Sequence, residues 1–250
     1  MEWKYDISAC TLCPRECGVD RLNGVRGRCG CDSDIYVARA ALHNWEEPCI
    51  SGVRGSGTVF FSGCPLGCVF CQNSNIANAK VGKKIPVERL AEIFLEQQDR
   101  GALNINLVTP THYIPQIIKA LELSKRQGMN LPVVYNSGGY EKAEALKLLD
   151  GLVDVYLPDM KYMSPGLAGK YSKAQDYPEA AMTALAEMFR QVGTPVFEAE
   201  KPDDNTATDE AGLIMKRGMI VRHLVLPGCT ADSKAVVKYL YDTYGDDIYM

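Results

Sequence analysis

The sequence predicts an α/β fold of barrel-like build with a small N-terminal appendage, and three observations predict it. The chain has 250 residues and is 46% apolar, enough to bury one substantial core. From residue 58 onward short apolar runs alternate with segments of helical periodicity, the pattern of parallel strands joined by right-handed crossovers. Each apolar run also stops at polar, glycine or proline residues, and in such folds ligands gather beyond the C-terminal ends of strands.

Taken in order, Thr58-Val59-Phe60-Phe61 reads as the first strand and runs directly into a loop holding Cys64, Cys68 and Cys71. Val87, Leu90, Ala91, Phe94 and Leu95 fall on one face of a helix that Gly101 follows. The second strand is Ile105 to Val108, stopped by Thr109-Pro110-Thr111-His112. Ile114, Ile117, Ile118 and Leu121 stripe the next helix, which ends near Gly128. Val133-Val134-Tyr135 is a third strand leading into Asn136-Ser137-Gly138-Gly139, and Glu141 to Leu149 is its crossover helix. Val153 to Leu157 is the fourth strand, ending at Pro158-Asp159-Met160-Lys161. A longer helix follows from Pro178 to Val192, with Pro178 suited to its first turn. Pro195 to Ala199 and Gly212 to Arg217 flank an acidic segment, Lys201 to Ala211, read as an excursion or hairpin with a solvated loop. Met219 to Leu226 is the fifth strand and Ala235 to Tyr244 the fifth helix. Asp247 to Met250 begins a sixth strand, so the sixth unit is cut short.

The loop after the first strand carries the chemistry. A structural zinc or a passive electron-transfer cluster takes four protein ligands, and a C-x3-C-x2-C run supplies three. Cys49 and Cys229 are too far along the chain to complete a compact local set. Three thiolates can hold three irons of a four-iron cluster and leave the fourth open. With ten cysteines in the chain, chance produces such a run about 0.016 times. Buried unligated cysteines, or a zinc borrowing a distant ligand, are the plainer alternatives. Gly63 and Gly67 give the loop backbone freedom to wrap a cubane.

The C-x3-C-x2-C run with aromatic Phe70 before its last cysteine resembles the radical S-adenosylmethionine (SAM) superfamily. The match is nearest to homologues of the pyruvate formate-lyase activating enzyme, the glycyl-radical activase branch. It extends from Cys10 through Arg21 to the strand ends at Thr109, Asn136, Asp159 and Arg222. The resemblance implies a partial TIM-like (β/α)6 barrel in which SAM chelates the open iron of a 4Fe-4S cluster. Reductive cleavage then yields a 5'-deoxyadenosyl radical that abstracts hydrogen, chemistry carried by the cofactor.

By the same resemblance Cys64, Cys68 and Cys71 ligate the cluster and Phe70 flanks it. Thr109 to His112 stands where the family has the Gly-Gly-Glu segment that binds the SAM amino group, with Thr109 as the candidate contact; none of the three is kept, and backbone carbonyls could do that work. Asn136 and Ser137 match the pair near the ribose and SAM carboxylate, though they could also cap a turn. Asp159 and Lys161 match the Asp-x-Lys that helps place a monovalent cation and SAM; a surface ion pair is the alternative. Arg222 matches the arginine that reaches SAM, where a cationic fork suits a carboxylate. His112 could be catalytic, face SAM or be a hydrogen-bonded structural imidazole.

Cys10, Cys13, Cys17 and Cys29, spaced C-x2-C-x3-C-x11-C, form a second four-ligand set with Cys31 to spare. Four thiolates suit zinc or a closed auxiliary iron-sulfur cluster, and metal-free thiols are the third reading. The chain divides accordingly into a Cys-rich metal-binding module, residues 1–50, and a partial barrel, residues 51–250.

A net charge of −4 without a basic stripe argues against nucleic acid as a partner. No apolar run approaches the ~20 residues that span a bilayer, which argues against a membrane role. The N-terminus has no signal-peptide pattern, and cysteines at ligand spacings fit a reducing cytoplasm. As partners the family implies a reductant such as flavodoxin or ferredoxin, and a glycyl-radical enzyme or other protein substrate. The rival expectations are a radical SAM enzyme acting on a peptide or small molecule, and a metal-binding protein impaired by truncation. Only Asn73 to Lys84 separates Cys71 from the first barrel helix, so the ferredoxin-like insert of many activases is missing.

Overall fold

In the computed structural model, which describes residues 5–200 and 212–250, one eight-stranded sheet organises the chain. Its strands are β1 (Ile35–His43), β2 (Ser56–Phe61), β3 (Lys83–Ile85), β4 (Ile105–Val108), β5 (Val133–Ser137), β6 (Val155–Pro158), β7 (Val196–Ala199) and β8 (Leu213–Met219). The order is β3-β1-β2-β4-β5-β6-β8-β7, and the run β2-β4-β5-β6-β8 is parallel throughout. Antiparallel pairs flank it, β1 with β2 and β3 on one side and β7 with β8 on the other.

Strands buried on both faces need continuous apolar sequence, and β5 is buried at every position. Helices between the parallel strands cover the outer face. Leu90, Ala91 and Phe94 of α3 (Val87–Asp99) are fully buried, as are Ile114, Ile117 and Leu121 of α4 (Ile114–Arg126). The long helix near the end of the barrel, Tyr177–Val192, buries Ala181, Ala184, Leu185 and Met188 and stops at Gly193, whose φ is 63°.

The inner face has its own small core of Val134, Val155, Leu157, Met215 and Ile220. Ile50 joins it from α1 (Pro48–Ser51), so the segment between β1 and β2 folds back and fills the lumen of the half-barrel. Above that plug Phe60, Val108, Asn136 and Leu157 stand in register across four strands. They form the level from which the site rises.

Several boundaries differ from the sequence reading. The fifth strand starts earlier and ends sooner than Met219 to Leu226: β8 closes at Met219 and pairing continues only to Arg222. Its partner β6 ends at Pro158, so Leu224 and Val225 have nothing to pair with and are more than half exposed. The helix read over Glu141 to Leu149 is only α5, Ala143–Lys147, because Glu141 turns inward. The hairpin is present as β7 and β8; its loop, 201–211, lies outside the described residues. Tyr249 bridges Ile220 in parallel, as expected of the start of a sixth strand. Strands β1 and β3 and three short helices, α1, Ser74–Ala77 (α2) and Pro165–Ser172 (α6), had no expectation. No helix among the described residues is long and apolar enough to cross a membrane.

Candidate functional site

At the C-terminal ends of the parallel strands lies a cavity of about 440 Å³. Cys64, Cys68, Cys71 and Phe70 line one side of it. Thr109, Asn136, Ser137, Asp159, Lys161 and Arg222 line the strand ends opposite. Every residue expected at the cluster and SAM positions therefore meets at one cavity, of a size typical for a small-molecule site.

The cysteine loop is built from glycines and borrowed backbone bonds. Gly63 (φ 91°) and Gly67 (φ 75°) take conformations that disfavour a Cβ. A Cβ on Gly63 would also lie 2.6 Å from the Cys29 carbonyl and collide with the Cys31 sulfur. Cys64 N donates to Cys29 O (3.3 Å), and Gly63 N to Ile76 O (2.8 Å). Arg15 clamps the loop by donating to the carbonyls of Pro65 (2.8 Å), Leu66 (3.3 Å), Ser172 (3.1 Å) and Lys173. Ser172 Oγ donates to Cys68 Sγ at 2.9 Å. Burial pushes the Cys64 thiol up to about 11, so filling the site with metal must displace its proton.

The strand ends form one polar network. Lys161 Nζ lies 2.6 Å from Asp159 Oδ2, and Arg222 Nε lies 3.2 Å from Asp159 Oδ1. Burial alone would raise the Asp159 carboxyl; the charges of Lys161 and Arg222 outweigh it and hold the group below its ordinary value. Arg222 Nη2 donates to Asn136 Oδ1 at 2.6 Å. Ser137 Oγ accepts from Gly139 N (3.2 Å), the turn-capping bond of the plainer alternative, while still facing the cavity. Thr109, a β-branched residue, sits at φ 59°, a strained conformation of the sort that collects at functional sites. His112 is not at the cavity: it is 2% exposed, bonded through Nε2 to Ser62 O (2.8 Å), and burial lowers its pKa.

Sequence reasoning missed the acids behind this network. Glu46 and Glu47, at the head of α1, approach Arg222 Nη1 at 3.7 and 3.6 Å, and Asn136 Nδ2 donates to Glu46 (3.3 Å). Burial pushes the Glu46 carboxyl up to about 7. The one available signal was an acidic pair ahead of Pro48-Cys49, next to no periodic segment. Glu141 was also missed. It is buried, accepts from Thr111 Oγ1 (2.6 Å) and Tyr135 Oη (3.2 Å), and is pushed up to about 7 by that burial.

Of the N-terminal set, Cys10, Cys13 and Cys29 are buried together with Cys31, whereas Cys17 is exposed, its sulfur beside Gly27. Among the described residues no three Cys, His, Asp or Glu side chains converge on one ion-sized position, at the Cys64 loop or elsewhere.

Fold and cavity together define an α/β half-barrel protein with a cysteine-lined rim. The sequence model of the Radical SAM superfamily matches residues 58–198, more than half of the chain, and the chain belongs to that superfamily. The uncharacterized protein MJ0674 of Methanocaldococcus jannaschii is 31% identical over 227 residues, which cover 87% of this chain and 57% of the relative. The chain thus spans little more than half the length of that relative. Membership implies a 4Fe-4S cluster and SAM as cofactors. The residues present fit them, since three thiols, a backbone loop free of side-chain obstruction and a charged strand-end network share one cavity.

Proposed function

We propose that this chain reductively cleaves SAM to start hydrogen abstraction, in the manner of a glycyl-radical-enzyme activase. The observation that carries it is the convergence of Cys64, Cys68, Cys71 and all seven strand-end and loop residues on one cavity. The cluster and SAM supply the radical chemistry when bound. The chain's own residues position and shield: the three thiolates hold the cluster, Asp159 and Lys161 orient the polar end of SAM, and Arg222 meets its carboxylate. A one-electron reductant such as flavodoxin or ferredoxin feeds the site, and a glycyl-radical enzyme is the protein substrate. Ten free cysteines and no disulfide among the described residues support a cytoplasmic setting. The N-terminal cysteines add a second metal, zinc or an auxiliary cluster.

A second reading, an enzyme that modifies another peptide or a small molecule, is favoured by the short connection after Cys71. It holds only α2 and β3 before α3 begins. Anaerobic reconstitution with iron and sulfide should give a 4Fe-4S chromophore and dithionite-dependent 5'-deoxyadenosine. A cluster-loaded protein that forms none with SAM present would sink the proposal. Glycyl-radical formation on a co-incubated candidate enzyme, read by electron paramagnetic resonance, separates the two readings.

A further inference from the structure

Arg21 is 1% exposed, and no carboxylate among the described residues lies within ion-pair distance of it. Its Nε and Nη2 donate to Asp32 O (2.9 and 2.5 Å) and its Nη1 to His112 O (2.9 Å). The Asp32 carboxylate turns instead to Arg26 and to Tyr36 Oη. Carbonyl oxygens satisfy the N–H groups but leave a full positive charge in the interior, an arrangement proteins avoid without an anion nearby. The ionisable groups facing the guanidinium are Tyr5, Cys10 and Cys29, with Cys10 Sγ 4.0 Å from Nη1.

These thiols are not isolated. Cys13 lies within electrostatic reach of both Cys10 and Cys29, and the Cys29 and Cys31 side chains bond to one another. Cys31 Sγ also donates to Ser62 O (3.2 Å). A second polar group is left over beside them: the buried His112 Nδ1 has no partner, and the imidazole feels the charge of Cys29. Neutral thiols would answer neither Arg21 nor this nitrogen, whereas metal-bound thiolates supply the missing negative charge.

We propose that Cys10, Cys13, Cys29 and Cys31 hold a second, closed 4Fe-4S cluster with Arg21 as its buried counter-charge, and that Cys17 is not a ligand. This deepens the second-metal reading above by choosing both the metal and the fourth thiol. Four thiols release four protons and take up a cubane of charge +2, leaving a centre of charge −2. Charge alone does not separate it from a zinc tetrathiolate. Position does: a centre hydrogen-bonded to the Cys64 loop is placed to pass an electron to it, which a cubane can do and zinc, having no redox chemistry, cannot. The centre would sit directly behind the Cys64 loop, to which Cys29 and Cys31 are hydrogen-bonded.

The test starts from the full chain with Cys64, Cys68 and Cys71 all changed to alanine, reconstituted anaerobically with ferrous iron and sulfide. About four irons and four sulfides per chain should remain, with the Mössbauer spectrum of a cubane. Adding Cys17→Ala should leave that iron in place, and adding Cys31→Ala should remove it. Arg21→Gln should keep the iron but move the cluster's reduction potential to more negative values, because a cation that favours the reduced state is gone. An iron-free triple variant, one zinc per chain in place of iron, or iron lost with Cys17→Ala overturns the proposal. Should Cys31→Ala fail to fold, the triple variant, Cys17→Ala and Arg21→Gln still decide. SAM cleavage is not a readout here, so this proposal and the proposed activity can fail separately.

Discussion

Asp159 stands between two cations, and that position makes it the most informative single residue of the site. Replacing it with alanine leaves Lys161 and Arg222 facing each other without a shared anion. Both are partly exposed, so the expected loss is about 2 kcal/mol rather than the larger cost of a fully buried orphan, read as a lower denaturant midpoint. SAM affinity, measured by titration of the reconstituted protein, should fall as well. Glu46 gives the stability of the site a pH dependence. Its folded pKa is raised from the ordinary 4.5 to about 7, so its contribution to stability is complete below about 4.5 and is lost as pH rises to about 7. The expected span is on the order of 3 kcal/mol at most, and Glu46→Gln should flatten that part of the melting-temperature profile. Asn136, Asp159 and Arg222 were legible in the sequence through the resemblance to the family's strand-end motifs, since local sequence alone left a turn cap or a surface ion pair as alternatives. Glu46, Glu47 and Arg21 were not. Their partners come from segments far apart in the chain, and nothing local marks a carboxylate or guanidinium that will be buried.

At the scale of elements, the two glycines of the cysteine loop should behave differently. Gly63→Ala adds a Cβ that meets fixed backbone and the Cys31 sulfur, at a positive φ; a loss of about 3 kcal/mol and of bound iron is expected. Gly67→Ala meets only the movable end of Arg28 at 3.2 Å, so strain of about 1 kcal/mol and retained iron are expected. Thermal melts and iron counts of the two variants check the contrast. Strands β2, β4, β5 and β6 were legible because parallel strands buried on both faces must be continuously apolar. β1 was not: Ala38, Arg39, Ala40 and Ala41 are weak strand formers, and antiparallel pairing with β2 and β3 holds them. Leu224 and Val225 misled in the other direction, since apolar sequence does not make a strand beyond the point where its neighbour ends.

For the molecule as a whole, the half-barrel is legible in the alternation of strands and helices, whereas the plug in its lumen is not. Residues 44–55 have no periodicity, yet they place Ile50, fully buried, among Val134, Val155 and Leu157. Ile50→Ala should therefore cost about 3 kcal/mol, measured by chemical denaturation, although it lies in a four-residue helix. The Arg15 clamp has a consequence for assembly. Its four carbonyl bonds join the N-terminal segment, the Cys64 loop and the end of α6 through protein contacts alone. The loop is thus preorganised, and most of its ordering entropy is lost on folding instead of at cofactor capture. Amide exchange across residues 63–71 should already be slow in the metal-free chain, and Arg15→Ala should make those amides exchange rapidly and slow the uptake of iron.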